Sequence, residues 1–144
     1  PINPQRPEIQ GLPSFASLAA LPEVPDIAVI VVADKDVPAA VAECAERGVK
    51  CAVVISSGFG ETGAAGLAIQ ERMVAHARAH GMRVLGPNSQ GFANFATGAV
   101  ANFSSMFVEV APQDGPVAIV SQSGAASVVP CSCSVTTGSA SSAG

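Results

Sequence analysis

Four short apolar runs, each ending in small polar residues, place the strongest constraint on how this chain can fold. The run at 117–120, Val-Ala-Ile-Val, is predicted to be a buried strand that stops at Ser-Gln-Ser-Gly, before residues small enough to begin a helix. Similar runs lie at 27–33, 51–56 and 82–85. A strand that enters a helix through such a turn leaves backbone N–H groups at the positive end of the helix dipole, and this favours an anion.

Two segments with helical periodicity separate the first three runs. Asp36 is predicted to cap the first helix, which has Pro38 in its first turn and ends at Gly48; its apolar stripe is Val37, Val41 and Ala45. The second helix is predicted at 64–80, ending before Gly81, with Ile69, Met73 and Ala77 on one face. This alternation predicts an α/β fold with a parallel sheet, whose ligands bind beyond the carboxyl ends of the strands.

The remaining segments are less regular. Residues 1–25 contain six prolines and are predicted to carry only short elements, such as a helical turn or two at 15–21. The run at 27–33 is apolar on both faces and is therefore predicted to be a central strand. Residues 92–106 are predicted to be loop with extended pieces, and the turn-rich segment 112–116 is the predicted domain boundary.

Composition excludes several classes of protein. Of 144 residues, 49% are hydrophobic and 12% charged, so the chain can bury a core. The net charge is −4 and no basic cluster occurs, so no nucleic-acid partner is expected. No apolar run is long enough to span a bilayer, and no signal-peptide pattern opens the chain. The four cysteines do not suggest a disulfide framework, and we expect a cytoplasmic protein.

Isolated polar residues give no convincing catalytic or metal site. His76 and His80 lie four residues apart on one helical face, but no third ligand is evident. Cys131 and Cys133 stand in a serine-rich tail, and no metal site is predicted there. Glu61 is interpreted as a charged loop tip in preference to a catalytic carboxylate. No Gly-x-Gly-x-x-Gly motif follows any of the strands, which argues against a dinucleotide-binding oxidoreductase.

Six motifs in order carry a resemblance to a known family. They are Pro1-Ile-Asn-Pro4, Gly11-Leu-Pro-Ser-Phe15, the segment 21–28, Val53-Val-Ile-Ser-Ser-Gly-Phe59, Leu85-Gly-Pro-Asn88 and Val117-Ala-Ile-Val-Ser-Gln-Ser-Gly124. In this order they are similar to the NDP-forming acyl-CoA synthetases, which are relatives of the succinyl-CoA synthetase α subunit. The resemblance runs from residue 1 to about 130.

The resemblance implies a domain organisation and a function. It implies a CoA-binding Rossmann-like domain at 1–110, a linker at 111–116, and the start of a flavodoxin-like ligase domain at 117–144. In the family, acyl-CoA, a nucleoside diphosphate and phosphate interconvert with a carboxylate, CoA and a nucleoside triphosphate through a phosphohistidine. The expected partners are CoA or acyl-CoA and a ligase or nucleotide-grasp domain or subunit, with Mg-nucleotide required only by the parent enzyme. An oligomer is also expected.

The resemblance also implies the ligand contacts, residue by residue. CoA contacts are expected at Val32, Ala33, Ile55, Ser56, Ser57, Gly58, Gly86, Pro87 and Asn88. Phosphate contacts are expected at Ser121, Ser123 and Gly124.

Three departures from the family pattern bear on these expectations. The family's opening strand, its Gly-rich first loop and a lysine near the CoA phosphates are expected before Pro1. Ser89 stands where the family often has cysteine. The tail after Pro130 resembles a linker or a shifted reading frame, and the phosphohistidine segment is not seen, so no catalytic residue is assigned and this chain alone is expected to be inactive. The alternatives are a non-catalytic CoA-sensing module and part of an acyltransferase fusion.

Overall fold

The computed structural model describes residues 1–105 and 114–124, which form two compact units. The first unit is Pro1–Asn88, and the second begins at Ser89. The strands of the first unit are β1 (Glu8–Ile9), β2 (Leu12–Pro13), β3 (Ile27–Ile30), β4 (Cys51–Val54) and β5 (Arg83–Leu85), and its helices are α1 (Val37–Glu46) and α2 (Ala64–Ala79). The second unit contains β6 (Gly91–Asn94) and β7 (Ala99–Asn102).

A parallel sheet in the order β3-β4-β5 forms the centre of the first unit. Helix α1 follows β3 and α2 follows β4, so the predicted alternation of strands and helices is confirmed. Ile30 pairs with Val54, and Val53 pairs with Leu85, so the carboxyl ends of the three strands lie along one edge of the sheet. This is the Rossmann-like α/β arrangement that the sequence predicts.

The core lies between one face of this sheet and the two helices. Every second residue of a strand faces the same side, and Ala28, Ile30, Ala52, Val54 and Val84 meet the helices on that side. Val37 and Val41 of α1 are fully buried and Ala45 is 2% exposed, so the predicted stripe of α1 is confirmed. On α2, Met73 and Ala77 are buried, whereas Ile69, which lies on the same side of the helix by its spacing, is 37% exposed.

The ends of α1 follow from local sequence. Pro38 lies in the first turn, where its missing N–H costs no helical hydrogen bond. Gly48 has φ +87°, the left-handed conformation that commonly ends a helix. Asp36 occupies the N-cap position, but its side chain makes no capping bond. Its backbone is already helical, since a 3-10 turn at Asp34–Asp36 leads directly into α1.

The prediction that β3 is a central strand is wrong for the described structure. β3 is an edge strand, and among the described residues none pairs with its outer side. Ile27 is 45% and Val29 is 51% exposed, because they face away from the two helices. An apolar run shows that both faces of a strand are suited to burial. It does not show that other segments of the protein pack against both faces.

Two hairpins were not predicted. β1 and β2 pair antiparallel across Gln10 and Gly11, both of which have positive φ, as tight hairpin turns require. In the second unit, β6 pairs antiparallel with β7, where loop with extended pieces was expected. Gly98, in the turn between them, also has positive φ. The sequence Thr97-Gly98 was the available signal for this second hairpin.

Residues 117–120 do not form the predicted buried strand. No described strand pairs with them; Val117 is 79% exposed and Val120 fully exposed. An apolar run of four residues becomes a strand only where neighbouring strands accept its hydrogen bonds. The predicted domain boundary at 111–116 and the tail after Gly124 lie partly or wholly outside the described residues, so the proposed limits of the ligase domain stay a prediction. None of the described helices has the length and apolar character needed to cross a membrane.

Candidate functional site

The three predicted contact segments of the first unit meet at the carboxyl edge of its sheet. They follow β3, β4 and β5 respectively, and Ser56 joins all three. The Ser56 hydroxyl donates to the carbonyl oxygen of Val32 at 2.6 Å. The Ser56 carbonyl oxygen accepts the N–H of Asn88 at 2.9 Å. The structure therefore brings Val32, Ser56 and Asn88 together, and it gives Ser56 a structural task in addition to any contact with a ligand.

Ile55 and Ala33 also have structural partners at this edge. The N–H of Ile55 donates to the carbonyl oxygen of Ile30 at 3.1 Å and extends the pairing of β3 and β4 by one residue. The carbonyl oxygen of Ala33 accepts the N–H of Asp36 at 2.9 Å, which closes the turn into α1. Backbone atoms at both positions are thus committed to the fold.

The segment after β5 reverses direction sharply. The peptide bond between Gly86 and Pro87 is cis, and Gly86 has φ +100°. Asn88 has φ +55°, a conformation that asparagine tolerates better than most residues. This turn places the N–H of Asn88 against the carbonyl oxygen of Ser56.

The loop after β4 is organised around Gly58. The N–H of Gly58 donates to Oε1 of Glu61 at 2.6 Å. Gly58 has φ +107°, and a Cβ at this position would lie 3.0 Å from Cβ and 3.1 Å from Oδ2 of Asp34. The positive φ favours glycine here, and a Cβ would require the side chain of Asp34 to shift by a few tenths of an ångström.

The electrostatics of this loop oppose a phosphate at Gly58. The pKa of Glu61 is lowered below its ordinary value of 4.5, first because the N–H of Gly58 bonds to its carboxylate, and also because the N–H groups of Glu61 and Phe59 do so. Glu61 is therefore ionised at neutral pH, and Asp34 lies on the other side of Gly58. Two nearby carboxylates favour neutral donors from a ligand over its phosphates.

The second half of the loop is anchored in the core. Phe59 is 1% exposed and belongs to the main apolar cluster. The Thr62 hydroxyl donates to the carbonyl oxygen of Phe59 at 2.7 Å, and the N–H of Gly60 donates to Oε1 of Gln70 at 3.1 Å. Sequence analysis did not identify Phe59, Glu61 or Gln70 as supports of the site, although the sequence Gly58-Phe-Gly-Glu61 contained the signal of a tight loop with a polar side chain.

Ser57 and Asn88 are predicted contact residues that are exposed and whose side chains have no hydrogen-bond partner among the described residues, and Ser57 is the one in the loop after β4. Its side chain is exposed, and its hydroxyl has no hydrogen-bond partner among residues 1–105 and 114–124. It stands between Ser56, whose hydroxyl is engaged with Val32, and Gly58, whose N–H is engaged with Glu61. In this loop, the hydroxyl of Ser57 is therefore free to donate a hydrogen bond to a ligand, whereas the hydroxyl of Ser56 and the N–H of Gly58 are not.

The second unit contains the predicted phosphate residues. The Ser121 hydroxyl donates to the carbonyl oxygen of Ser123 at 2.9 Å and accepts the N–H of Ser123 at 3.0 Å. Gly124 has a helical backbone, and a Cβ there would lie only 2.7 Å from Cδ of Gln90. Gln90 is therefore a neighbour of this segment that sequence analysis missed.

His76 and Cys44 lie on the two helices and His80 directly follows α2, so none of the three belongs to a strand-end segment. Nε2 of His76 lies 3.4 Å from Oε1 of Glu46 and links α2 to α1, while Nδ1 of His80 lies 3.0 Å from the carbonyl oxygen of His76. Burial, followed by the charge of Glu43, raises the pKa of Cys44. Within the two described ranges, no cluster of three or more His, Cys, Asp or Glu residues is arranged to hold a metal ion.

A model of the CoA binding domain family matches residues 1–94, which include the whole three-stranded sheet and its strand-end segments. The chain belongs to this family. The match confirms the resemblance on which the sequence analysis relied. The chain is 42% identical over 125 residues to "Acetate--CoA ligase [ADP-forming] II subunit alpha" of Pyrococcus furiosus; the aligned region covers 87% of the chain and 26% of that subunit.

Solved structures give the same result. A crystal structure of a Pyrococcus horikoshii OT3 protein matches with a TM-score of 0.86 and 34% identity, over 96% of this chain and 31% of that one. A dinucleotide-forming acetyl-coenzyme A synthetase of Ca. Korarchaeum cryptofilum, in complex with phosphate and ADP, matches with a TM-score of 0.74 and 34% identity, over 94% of this chain and 28% of that one. The chain thus spans about a quarter or less of the length of the curated relatives it matches.

Proposed function

We propose that this chain binds coenzyme A at the carboxyl edge of its parallel sheet. The observation that carries the proposal is the family match over residues 1–94, which includes all three strand-end segments joined through Ser56. Ligands of open parallel sheets bind at this edge. The CoA contacts are Val32, Ala33, residues 55–58 and residues 86–88, and in the loop after β4 the hydroxyl of Ser57 supplies a side-chain donor that is free in the absence of ligand.

Calorimetric titration of the chain with CoA tests this proposal. We expect saturable binding by the wild-type chain and about tenfold weaker binding by Ser57→Ala, which is the effect of losing about 1.4 kcal/mol of binding free energy. Ser105→Ala is the matched control, because Ser105 is an exposed serine of the second unit. Absence of saturable CoA binding by the wild-type chain would contradict the proposal, and equal affinities of the two serine variants would remove Ser57 from the site.

We further propose that CoA binding serves an NDP-forming acyl-CoA synthetase. In this reaction a carboxylate, CoA and a nucleoside triphosphate interconvert with acyl-CoA, a nucleoside diphosphate and phosphate. The names of the ADP-forming ligase relative and of the structure holding phosphate and ADP support this role. The nucleotide, its Mg²⁺ and the phosphohistidine belong to a ligase or nucleotide-grasp domain or subunit, within an oligomer located in the cytoplasm.

Ser121, Ser123 and Gly124 are proposed to bind the phosphoryl group in that reaction. Their support is the family motif and the turn that Ser121 and Ser123 form ahead of the helical backbone at Gly124. The chain alone is expected to form no acyl-CoA from acetate, CoA and Mg-ATP, since no catalytic residue is assigned to it. Acyl-CoA formation that copurifies with the chain would refute this division of tasks.

A further inference from the structure

The loop after β4 is held at two places by different means. Its second half is fixed by the burial of Phe59 and by the hydrogen bonds that join Thr62 to Phe59 and Gly60 to Gln70. Its first half, next to Ser57, is exposed. On one side of Ser57 the Ser56 hydroxyl bonds to the carbonyl oxygen of Val32, and on the other side the N–H of Gly58 bonds to Oε1 of Glu61.

Gly58 cannot keep its conformation by packing alone. Its φ of +107° is freely accessible to glycine, but glycine also visits many other conformations, so some contact must select this one. Asp34 limits the space on one side, and the carboxylate of Glu61 bonds to the N–H group. A charge-assisted bond of 2.6 Å is suited to this selection because it is stronger than a bond between neutral groups.

The same bond decides what Gly58 can offer to a ligand. Its N–H is already donated to Glu61, so Gly58 contributes to binding through the shape of the backbone and not as a hydrogen-bond donor. The residue that benefits is Ser57, whose exposed position depends on the conformation of its neighbour.

We propose that Glu61 is a positioning residue of the CoA site: its carboxylate holds Gly58 in the conformation that presents Ser57 to CoA. The proposal rests on the proposed function of this edge of the sheet. It replaces the interpretation of Glu61 as a charged loop tip with a defined task. Glu61 does not touch the ligand in this scheme; it acts through Gly58 and Ser57.

The test combines amide NMR with calorimetry on the full chain. In the wild-type chain, the Gly58 amide proton should resonate downfield and move upfield as acid protonates Glu61, and this pH response should vanish in Glu61→Gln. Glu61→Ala should weaken CoA binding about tenfold, the order expected when a charge-assisted bond that holds a loop is lost. Glu61→Gln should recover part of the affinity, because its amide oxygen can accept the same bond.

Thr62→Val is the matched control. It removes the hydroxyl bond to Phe59 while leaving the bond between Gly58 and Glu61 in place, so it should lower the melting temperature without a comparable loss of CoA affinity. Equal losses of affinity in Thr62→Val and Glu61→Ala would overturn the inference, since Glu61 would then be one loop stabiliser among several. Unchanged CoA binding in Glu61→Ala would also overturn it, while leaving the proposed function intact. A wild-type chain that does not bind CoA would overturn the proposed function, and the inference with it.

Discussion

Gly66 in the first turn of α2 provides a test in which helix propensity and tertiary structure predict opposite results. Replacing a helical glycine with alanine normally stabilises a protein by about 1 kcal/mol. At Gly66, however, the new Cβ would fall well inside van der Waals contact with the carbonyl oxygen of Phe59 and with Oγ1 of Thr62. Gly66 is buried, so the methyl group cannot turn toward solvent.

The magnitude follows from three contributions. Overpacking against a backbone atom costs about 1–3 kcal/mol. The carbonyl oxygen of Phe59 also accepts the N–H of Thr62 at 2.8 Å and its hydroxyl at 2.7 Å, and each of these bonds is worth about 1 kcal/mol if the methyl group displaces it. When one or both bonds are displaced, and after subtraction of the propensity gain, Gly66→Ala should lower the free energy of unfolding by roughly 1–4 kcal/mol.

Thermal unfolding followed by circular dichroism measures the effect. A loss of about 2 kcal/mol corresponds to a decrease of roughly 8–16 °C in Tm for a unit of this size. Ala75→Gly, at an exposed position of the same helix, is the control and should lose only the propensity term of about 1 kcal/mol. A Gly66→Ala variant that melts above the wild-type chain would refute the close packing of α2 against the loop after β4. It would also refute the idea that this packing anchors the candidate site.

Three further predictions concern the strand-end loops and the serine turn. Ser56→Ala should lower the free energy of unfolding by about 1 kcal/mol in urea titrations, because it removes the bond to the carbonyl of Val32; an unchanged midpoint would count against that bond. The folded-state pKa of Glu61 is lowered, so the stability that its ionised carboxylate contributes is present above pH 4.5 and is lost as the pH falls through the folded pKa. The difference in free energy of unfolding between wild type and Glu61→Gln should therefore shrink below pH 4.5. A difference that stays constant with pH would contradict this prediction. Gly124→Ala should disturb the Ser121–Ser123 turn, because the new methyl group would contact the side chain of Gln90. Adding Gln90→Ala to this variant should remove the contact and restore the amide chemical shifts of the turn. If the shifts are not restored, glycine is needed at position 124 for another reason.

The sequence predicted most of the first unit because its signals there are local. The apolar stripe of α1, its early proline and its terminal Gly48 all act within a few residues, and the structure has each of them where the pattern placed it. The exposed sides of β3 and the exposed residues 117–120 were not foreseen, because coverage of an apolar strand depends on which segments pack against it. The two hairpins were missed because their strands are short and lack strong alternation.

For the candidate site, the sequence predicted where the site lies better than it predicted what each of its residues does. The alternation of strands and helices predicted that the strand-end segments meet at one edge of the sheet, and the resemblance implied the individual contacts. The structure brings Val32, Ser56 and Asn88 together. Which atoms of these residues are free could not be read from the sequence, since it depends on bonds between segments far apart in the chain. The bond from Ser56 to Val32 spans 24 residues, and the bond from Gly60 to Gln70 spans ten.

The segment Ser56-Ser57-Gly58 shows why a family motif at a ligand site should not be taken as a set of ligand contacts. Two of its three residues donate hydrogen bonds within the protein: the hydroxyl of Ser56 donates to Val32, and the N–H of Gly58 donates to Glu61. At the proposed CoA site, we expect substitution of either residue to weaken binding by changing the shape of the edge, and substitution of Ser57 to remove a donor and leave the edge in place. Stability and affinity should therefore fall together for Ser56→Ala, while for Ser57→Ala affinity should fall without stability. This separation distinguishes a residue that builds the site from one that meets the ligand.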